Sequence, residues 1–169
     1  TTLDQANAYW SIPIEDTDKE KPAFNSPNGL FEFNYLPFGL CNAPSTFQRL
    51  MDIVLSGLNW RICLTYLDDI LVFAKTHEEM LQRMDHILSK LNEAGLKLRL
   101  EKCKFSESKV KYLGHIISSE GIKPDESKLQ AVKIIQKPKN TKEVKSFLGL
   151  ISYYRKYIKE STKIAQPLT

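Results

Sequence analysis

Two adjacent carboxylates, Asp68 and Asp69, sit in the middle of the apolar, β-branched and aromatic run Ile62–Phe73. As one helix or one strand, that run would bury two like charges at high cost. As two short strands with the acidic pair at the turn, both apolar arms enter a sheet and both carboxylates are presented together at its tip. Carboxylates held side by side repel by roughly 4 kcal/mol at ~4 Å and an effective dielectric of ~20. A divalent cation removes that repulsion, and hard carboxylate oxygens suit Mg²⁺. A bare Asp-Asp pair elsewhere would be an acidic turn in water; the flanking strands are what favour a metal here.

The elements that would position this pair can be followed along the chain. Thr1–Asp4 reads as the end of a strand, and Ser11–Glu15 as a short extended piece with Pro13 at an edge. Ala23–Asn25 and Leu30–Phe33 flank Pro27-Asn28-Gly29, a hairpin signal. Pro44 suits the first turn of a helix running to about Ser56, with Phe47, Leu50, Met51, Val54 and Leu55 as its apolar stripe. Thr76-His77-Glu78-Glu79 is a capping box. It opens a helix with Met80, Met84, Ile87, Leu88 and Leu91 on one face, stopped by Gly95. Leu96–Leu100 alternates like a strand, and Val110–Ile117 reads as another, followed by a turn at Ser118–Gly121. Asp125 caps a helix through Leu129, Val132 and Ile135. Lys137–Asn140 is a linker, and Asn140–Glu143 caps a helix to about Tyr157. The change of character places a boundary near Lys123.

The bulk numbers bound the function. The 169 residues are 42% hydrophobic, and no stretch approaches the length of apolar chain needed to span a membrane. Three cysteines, Cys41, Cys63 and Cys103, show no metal-ligand spacing and read as reduced thiols, which points to an intracellular chain and away from secretion. The N-terminus carries no signal-peptide pattern and starts mid-pattern, as a piece of a longer polyprotein would. The net charge of +4 hides an asymmetry. Residues 1–89 carry 6 Lys/Arg and 12 Asp/Glu, residues 90–169 carry 18 and 8. A basic half joined to an acidic half suits a polyanion partner and a metal site, although a Lys-rich solvated surface would read the same way.

The order Tyr66-Leu67-Asp68-Asp69 resembles the catalytic hairpin of reverse transcriptases, and four further blocks follow that family's order. Leu3-Asp4-Gln5-Ala6-Asn7-Ala8-Tyr9 is similar to its motif A, and Leu36–Gln48 to motif B. Ala94–Leu98 with Glu101-Lys102-Cys103 resembles motif D, and Tyr112–Ile117 the primer grip. Over the whole chain the resemblance is to the palm and thumb of a gypsy-type LTR retrotransposon enzyme. It implies an α/β (α+β) right-hand polymerase palm with an antiparallel sheet and packed helices over 1–122, including a partial fingers hairpin at about 12–35. A small helical thumb would occupy 123–169.

The implied activity is RNA-directed DNA polymerisation with two Mg²⁺ or Mn²⁺ ions, deoxynucleoside triphosphate and an RNA or DNA template-primer. Asp4, Asp68 and Asp69 would be the metal ligands, a single Asp on one strand meeting a pair on the neighbouring hairpin. Lys102 would protonate the leaving pyrophosphate, or serve as a phosphate contact or an exposed lysine. Tyr9 would exclude a 2′-hydroxyl, with Phe38 and Gly39 beside the nucleotide and Gly39 permitting close backbone approach. Tyr112, Leu113, Gly114 and His115 would clamp the primer end, His115 as part of the strand and not as a metal ligand. Lys142, Lys145, Arg155 and Lys156 would track the duplex backbone without regard to sequence.

Departures are few. Pro22 stands where the family usually has Thr, removing a backbone donor and weakening a strand. Ser11 and Ala8 replace a common Gln and Gly. The family's fingers precede motif A and its RNase H domain follows the thumb. The rival reading is an inactive retroelement remnant that at most binds nucleic acid non-specifically; an RNA-directed RNA polymerase palm is disfavoured by Tyr9 and Leu67.

Overall fold

The computed structural model describes residues 1–168, apart from the side chains at 128, 129, 131 and 133. The chain divides into two compact units, Thr1–Glu107 and Ser108–Thr169. The first contains β1 (Thr2–Asp4), β2 (Phe24–Ser26), β3 (Gly29–Phe31), α1 (Ala43–Val54), β4 (Cys63–Tyr66), β5 (Asp69–Val72) and α2 (His77–Glu93). The second contains β6 (Lys109–Tyr112), β7 (His115–Ser118), β8 (Gly121–Pro124), α3 (Glu126–Lys133), α4 (Thr141–Ser152) and α5 (Ser161–Ala165). Antiparallel sheets and segregated helices make this an α+β fold, and none of the described helices is long and apolar enough to cross a membrane.

In the first unit, the run around the aspartates folds as two strands. β4 and β5 pair antiparallel, and β1 adds to the other side of β5, giving the order β1-β5-β4. The core face of this sheet presents Leu3, Cys63, Ile70 and Val72, each at most 1% exposed. Against it lie Phe47, Met51 and Leu55, from α1 and its C-cap, and Met84, Ile87 and Leu91 of α2. Burying a side chain of this size contributes ~1.5–3 kcal/mol, so the sheet that carries the aspartates is also the best-anchored part of the unit.

The helix ends follow their local signals. Pro44 lies in the first turn of α1. Thr76 Oγ1 accepts the Glu79 N–H at 3.1 Å, and Glu79 Oε2 accepts the Lys75 N–H at 2.7 Å. Leu88 falls off the buried stripe of α2 and is 39% exposed, because Met84, Ile87 and Leu91 already fill the side that meets the sheet.

Three expectations are corrected. Pro22 lies in the turn before β2, whose pairing with β3 starts at Phe24, so it removes no ladder bond. Leu96–Leu100 does not form a strand. It runs beside β1 through Ala6 N–H to Lys97 O (2.8 Å) and Arg99 N–H to Asp4 O (2.9 Å), then turns into a 3-10 segment at Leu100–Lys102. Val110–Ile117 is not one strand but the hairpin β6–β7. Leu113 (φ +46°) and Gly114 (φ +74°) form its two-residue turn, the left-handed pair that matches strand twist.

In the second unit, β6, β7 and β8 form an antiparallel meander. Lys123 sits inside β8, so the change in composition falls within this unit, whose compact boundary comes earlier, after Glu107. Asp125 Oδ1 accepts the Ser127 N–H at 3.1 Å to cap α3. The side chain of Leu129 lies outside the described residues, and the helix ends at Lys133, short of the expected Ile135. Asn140 caps α4 by accepting the Glu143 N–H at 2.9 Å. This helix ends at Ser152, short of Tyr157, and a 3-10 turn follows at Arg155–Tyr157. Charge separates with the units: residues 1–107 carry 11 Lys/Arg and 15 Asp/Glu, residues 108–169 carry 13 and 5.

Candidate active site

Asp4 ends β1 and Asp69 begins β5, and the two face each other directly across the antiparallel ladder. Opposed residues place their Cβ atoms ~4.5–5.5 Å apart on the same face of a sheet. Asp68 occupies the turn, and its carbonyl accepts the Gln5 N–H at 3.1 Å, which ties the turn back to the residue after Asp4. Lys102 Nζ stands 3.9 Å from Asp4 Oδ2. Burial, then the Asp68 and Asp4 carboxylates, raise the pKa of Asp69, and Lys102 opposes them.

The four expected catalytic groups therefore share one electrostatic neighbourhood. Among the described residues, no three His, Cys, Asp or Glu side chains are gathered closely enough to cage a metal ion. The donor set still suits one: three hard carboxylates, of which Asp69 holds its proton more tightly through burial and, next, the neighbouring Asp68 and Asp4 charges.

The turn carrying Asp68 is held from outside. Leu67 adopts a left-handed backbone (φ +51°), which costs a non-glycine residue ~1–2 kcal/mol. Its N–H donates to Gln48 Oε1 of α1 at 2.7 Å, and Gln48 Nε2 donates to Asp52 Oδ1 at 2.9 Å. Gln48 was not among the predicted site residues. It closes the block that resembles motif B, but that block does not reveal its partner, a backbone N–H nineteen residues away.

Beside Asp68 lies a cavity of about 220 Å³ lined by Tyr9, Phe38, Phe47, Asp68 and Arg99, with Asn7 and Ala8. Tyr9 lies on the 3-10 turn Tyr9–Ser11 that follows β1. Its ring meets Phe38 at 5.1 Å and Phe47 edge-on at 5.9 Å between centroids. Gly39 is next to Phe38 with φ +100°, and a Cβ there would meet nothing within 4 Å. The positive φ is one that glycine adopts without strain, and the space beside its Cα is free of protein atoms. Arg99, also missed, is the only cation among the described residues lining the cavity.

In the second unit, the Leu113–Gly114 turn is packed by aromatics. Tyr153 Oη donates to Leu113 O at 2.5 Å, and the Tyr153 ring stacks on His115 at 5.3 Å and 5°. Tyr157 Oη lies 3.3 Å from His115 Nδ1. Burial, then Lys156, lower the His115 pKa. Tyr112 is buried. Lys142, Lys145, Arg155 and Lys156 are all exposed, with Lys156 Nζ 5.0 Å from the Tyr157 ring centroid.

The chain is similar to several proteins of known kind. Residues 1–117 match the model of the family described as reverse transcriptase (RNA-dependent DNA polymerase). The retrovirus-related Pol polyprotein from transposon opus of Drosophila melanogaster is 41% identical over 169 residues, covering 100% of this chain and 17% of the relative. The corresponding polyprotein from transposon gypsy of the same fly is 40% identical, covering 100% and 16%. The chain thus spans a small part of the curated relatives it matches. Among solved structures, the foamy viral protease-reverse transcriptase dRH in complex with double-stranded DNA matches at TM-score 0.89 and 28% identity, covering 99% of this chain and 29% of that one. The same viral protein with an RNA/DNA hybrid matches at TM-score 0.80 and 27% identity, covering 99% and 22%. The fold is that of the reverse transcriptase palm, and the chain belongs to the reverse transcriptase (RNA-dependent DNA polymerase) family.

Proposed function

We propose that this chain is the polymerising portion of an RNA-directed DNA polymerase, transferring a nucleotide from a deoxynucleoside triphosphate to a primer 3′-hydroxyl. The observation that carries this reading is the direct pairing of Asp4 with Asp69, with Asp68 in the adjoining turn and Asp69 raised in pKa. Asp4, Asp68 and Asp69 would hold two divalent cations, Mg²⁺ or Mn²⁺, which supply activation of the primer hydroxyl and neutralisation of the triphosphate. The 3′-hydroxyl gives its proton to solvent, and its oxygen forms a bond to the α-phosphorus as the bond to the pyrophosphate oxygen breaks. Lys102, on the same side as Asp4, gives its proton to that leaving oxygen. Tyr9 packs against the sugar and Phe38 beside the base, with Gly39 shaping the backbone next to it.

The palm is assigned to 1–122 and the helical thumb to 123–169. Tyr112, Leu113, Gly114 and His115 position the primer end, and Lys142, Lys145, Arg155 and Lys156 contact the template-primer backbone. The parent is an intracellular Pol polyprotein that supplies fingers and RNase H. The test is primer extension by the chain joined to a fingers segment. Asp68→Asn is expected to lower extension by several orders of magnitude while leaving template-primer binding nearly intact; extension that survives this change refutes the assignment.

A further inference from the structure

We infer that the Arg99 guanidinium binds the phosphates of the nucleotide, from within the cavity it shares with Tyr9, Phe38 and Asp68. This rests on the polymerase reading above and adds to it a residue outside every motif position so far assigned. The backbone of Arg99 is fixed at both ends. Its N–H donates to Asp4 O at 2.9 Å, and its carbonyl accepts from Cys103 Sγ at 3.3 Å. The preceding residue, Leu98, bridges to Gln5. The base of this side chain is thereby locked to the strand that bears Asp4.

The side chain is half-buried in the cavity wall. Among the described residues no carboxylate comes within ion-pairing distance of it, whereas Lys102, three residues on, stands close to Asp4. A partly desolvated guanidinium without an internal anion is best matched by an anion that arrives from outside. Its planar fork of donors fits two phosphate oxygens at once, which an ammonium does not. The rings of Tyr9, Phe38 and Phe47 supply aromatic wall suited to a sugar and a base, beside Asn7 and Ala8. The lining thus combines a carboxylate for metal-bound phosphate, a cation for the phosphate oxygens, and aromatic surface for the nucleoside.

Nuclear magnetic resonance titrations of this chain with thymidine 5′-triphosphate and with thymidine, both with magnesium, separate the phosphate contribution from the rest. Wild type is expected to prefer the triphosphate. Arg99→Gln is expected to weaken triphosphate binding ~10-fold or more, as loss of a charge-assisted hydrogen-bond pair does, with thymidine affinity unchanged. Arg99→Lys keeps the charge without the fork and restores part of the preference; it also serves as the variant of record should Arg99→Gln lose its folded amide spectrum, a preference equal to wild type then counting against the fork. Tyr9→Ala is expected to weaken both ligands while the preference remains. Arg99→Gln with an undiminished triphosphate preference overturns the Arg99 assignment and leaves the nucleotide site standing. Wild type with no preference for the triphosphate overturns both.

Discussion

Gln48→Ala isolates the contact that holds the carboxylate hairpin in shape. The substitution removes the acceptor of the Leu67 N–H, a 2.7 Å bond between α1 and a partly buried turn. Leaving such a donor without a partner costs ~1–3 kcal/mol. Part is recovered if Leu67 then leaves its left-handed conformation, which itself costs ~1–2 kcal/mol. The net loss is expected at ~1–2 kcal/mol, a fall in thermal midpoint of ~5–10 °C for a unit of this size. The Gln48–Asp52 hydrogen bond is exposed, so Asp52→Ala should stay within ~0.5 kcal/mol of wild type. Thermal unfolding measures the first quantity, and hydrogen exchange at the Leu67 amide locates it. In a chain completed with fingers, extension should drop through turnover more than through nucleotide KM, because the turn carries Asp68 and leads directly into Asp69. Unchanged stability together with a still-protected Leu67 amide would refute the claim that α1 holds this turn.

Three further outcomes are expected. Because the folded-state pKa of Asp69 lies above its unfolded value, the folded chain binds that proton more tightly, and stability falls as pH rises through the interval between the two. Asp69→Asn should accordingly be more stable than wild type above that interval and lose its advantage below it; urea unfolding across the acid range checks this, and a gain that persists at the lowest pH would need another cause. Tyr9→Ala in the fingers-completed chain should let ribonucleotides compete with deoxynucleotides, and single-nucleotide incorporation with unaltered selectivity would make Tyr9 a packing residue for Phe38 and Phe47. Binding of the chain to a B-form primer-template should lose log affinity at ~0.9 per neutralised phosphate with log salt. Replacing Lys142, Lys145, Arg155 and Lys156 by glutamine should flatten that slope, and an identical slope removes them from the interface.

What could be read from the chain followed from conflicts that only one local structure resolves. Asp68-Asp69 within an apolar run demanded a hairpin, and β4–β5 is that hairpin. Pro44, Thr76 with Glu79, and Asn140 with Glu143 marked helix starts through donors and rings that act within one turn of chain. The β6–β7 hairpin escaped notice because its turn begins with Leu113, a residue type that rarely takes a left-handed backbone. Tyr153, forty residues on, hydrogen-bonds that turn, a tertiary contact with no local pattern. Leu96–Leu100 alternated like a strand, yet β1 is only three residues long and offers few groups to pair with. Gln48 and Arg99 stayed hidden for the same reason: a backbone amide across the fold identifies one, and a cavity wall the other.

The placement of the aspartates bears on how such a site changes over generations. Active-site groups on loops can be reshuffled with little effect on the scaffold. Asp4 and Asp69 have no such freedom, because their chain neighbours Leu3 and Ile70 pair with each other in the next rung and are 1% and 0% exposed. Trimming a buried methyl at Ile70 typically costs ~0.5–1.5 kcal/mol, and here the disturbance lies one residue from Asp69, a proposed metal ligand. Lineages carrying this sheet should accumulate heat-sensitive alleles at these interior positions. Innovation in template choice or fidelity would fall instead to the cavity rim at Phe38 and to the basic exterior, where side chains can be exchanged without touching that rung.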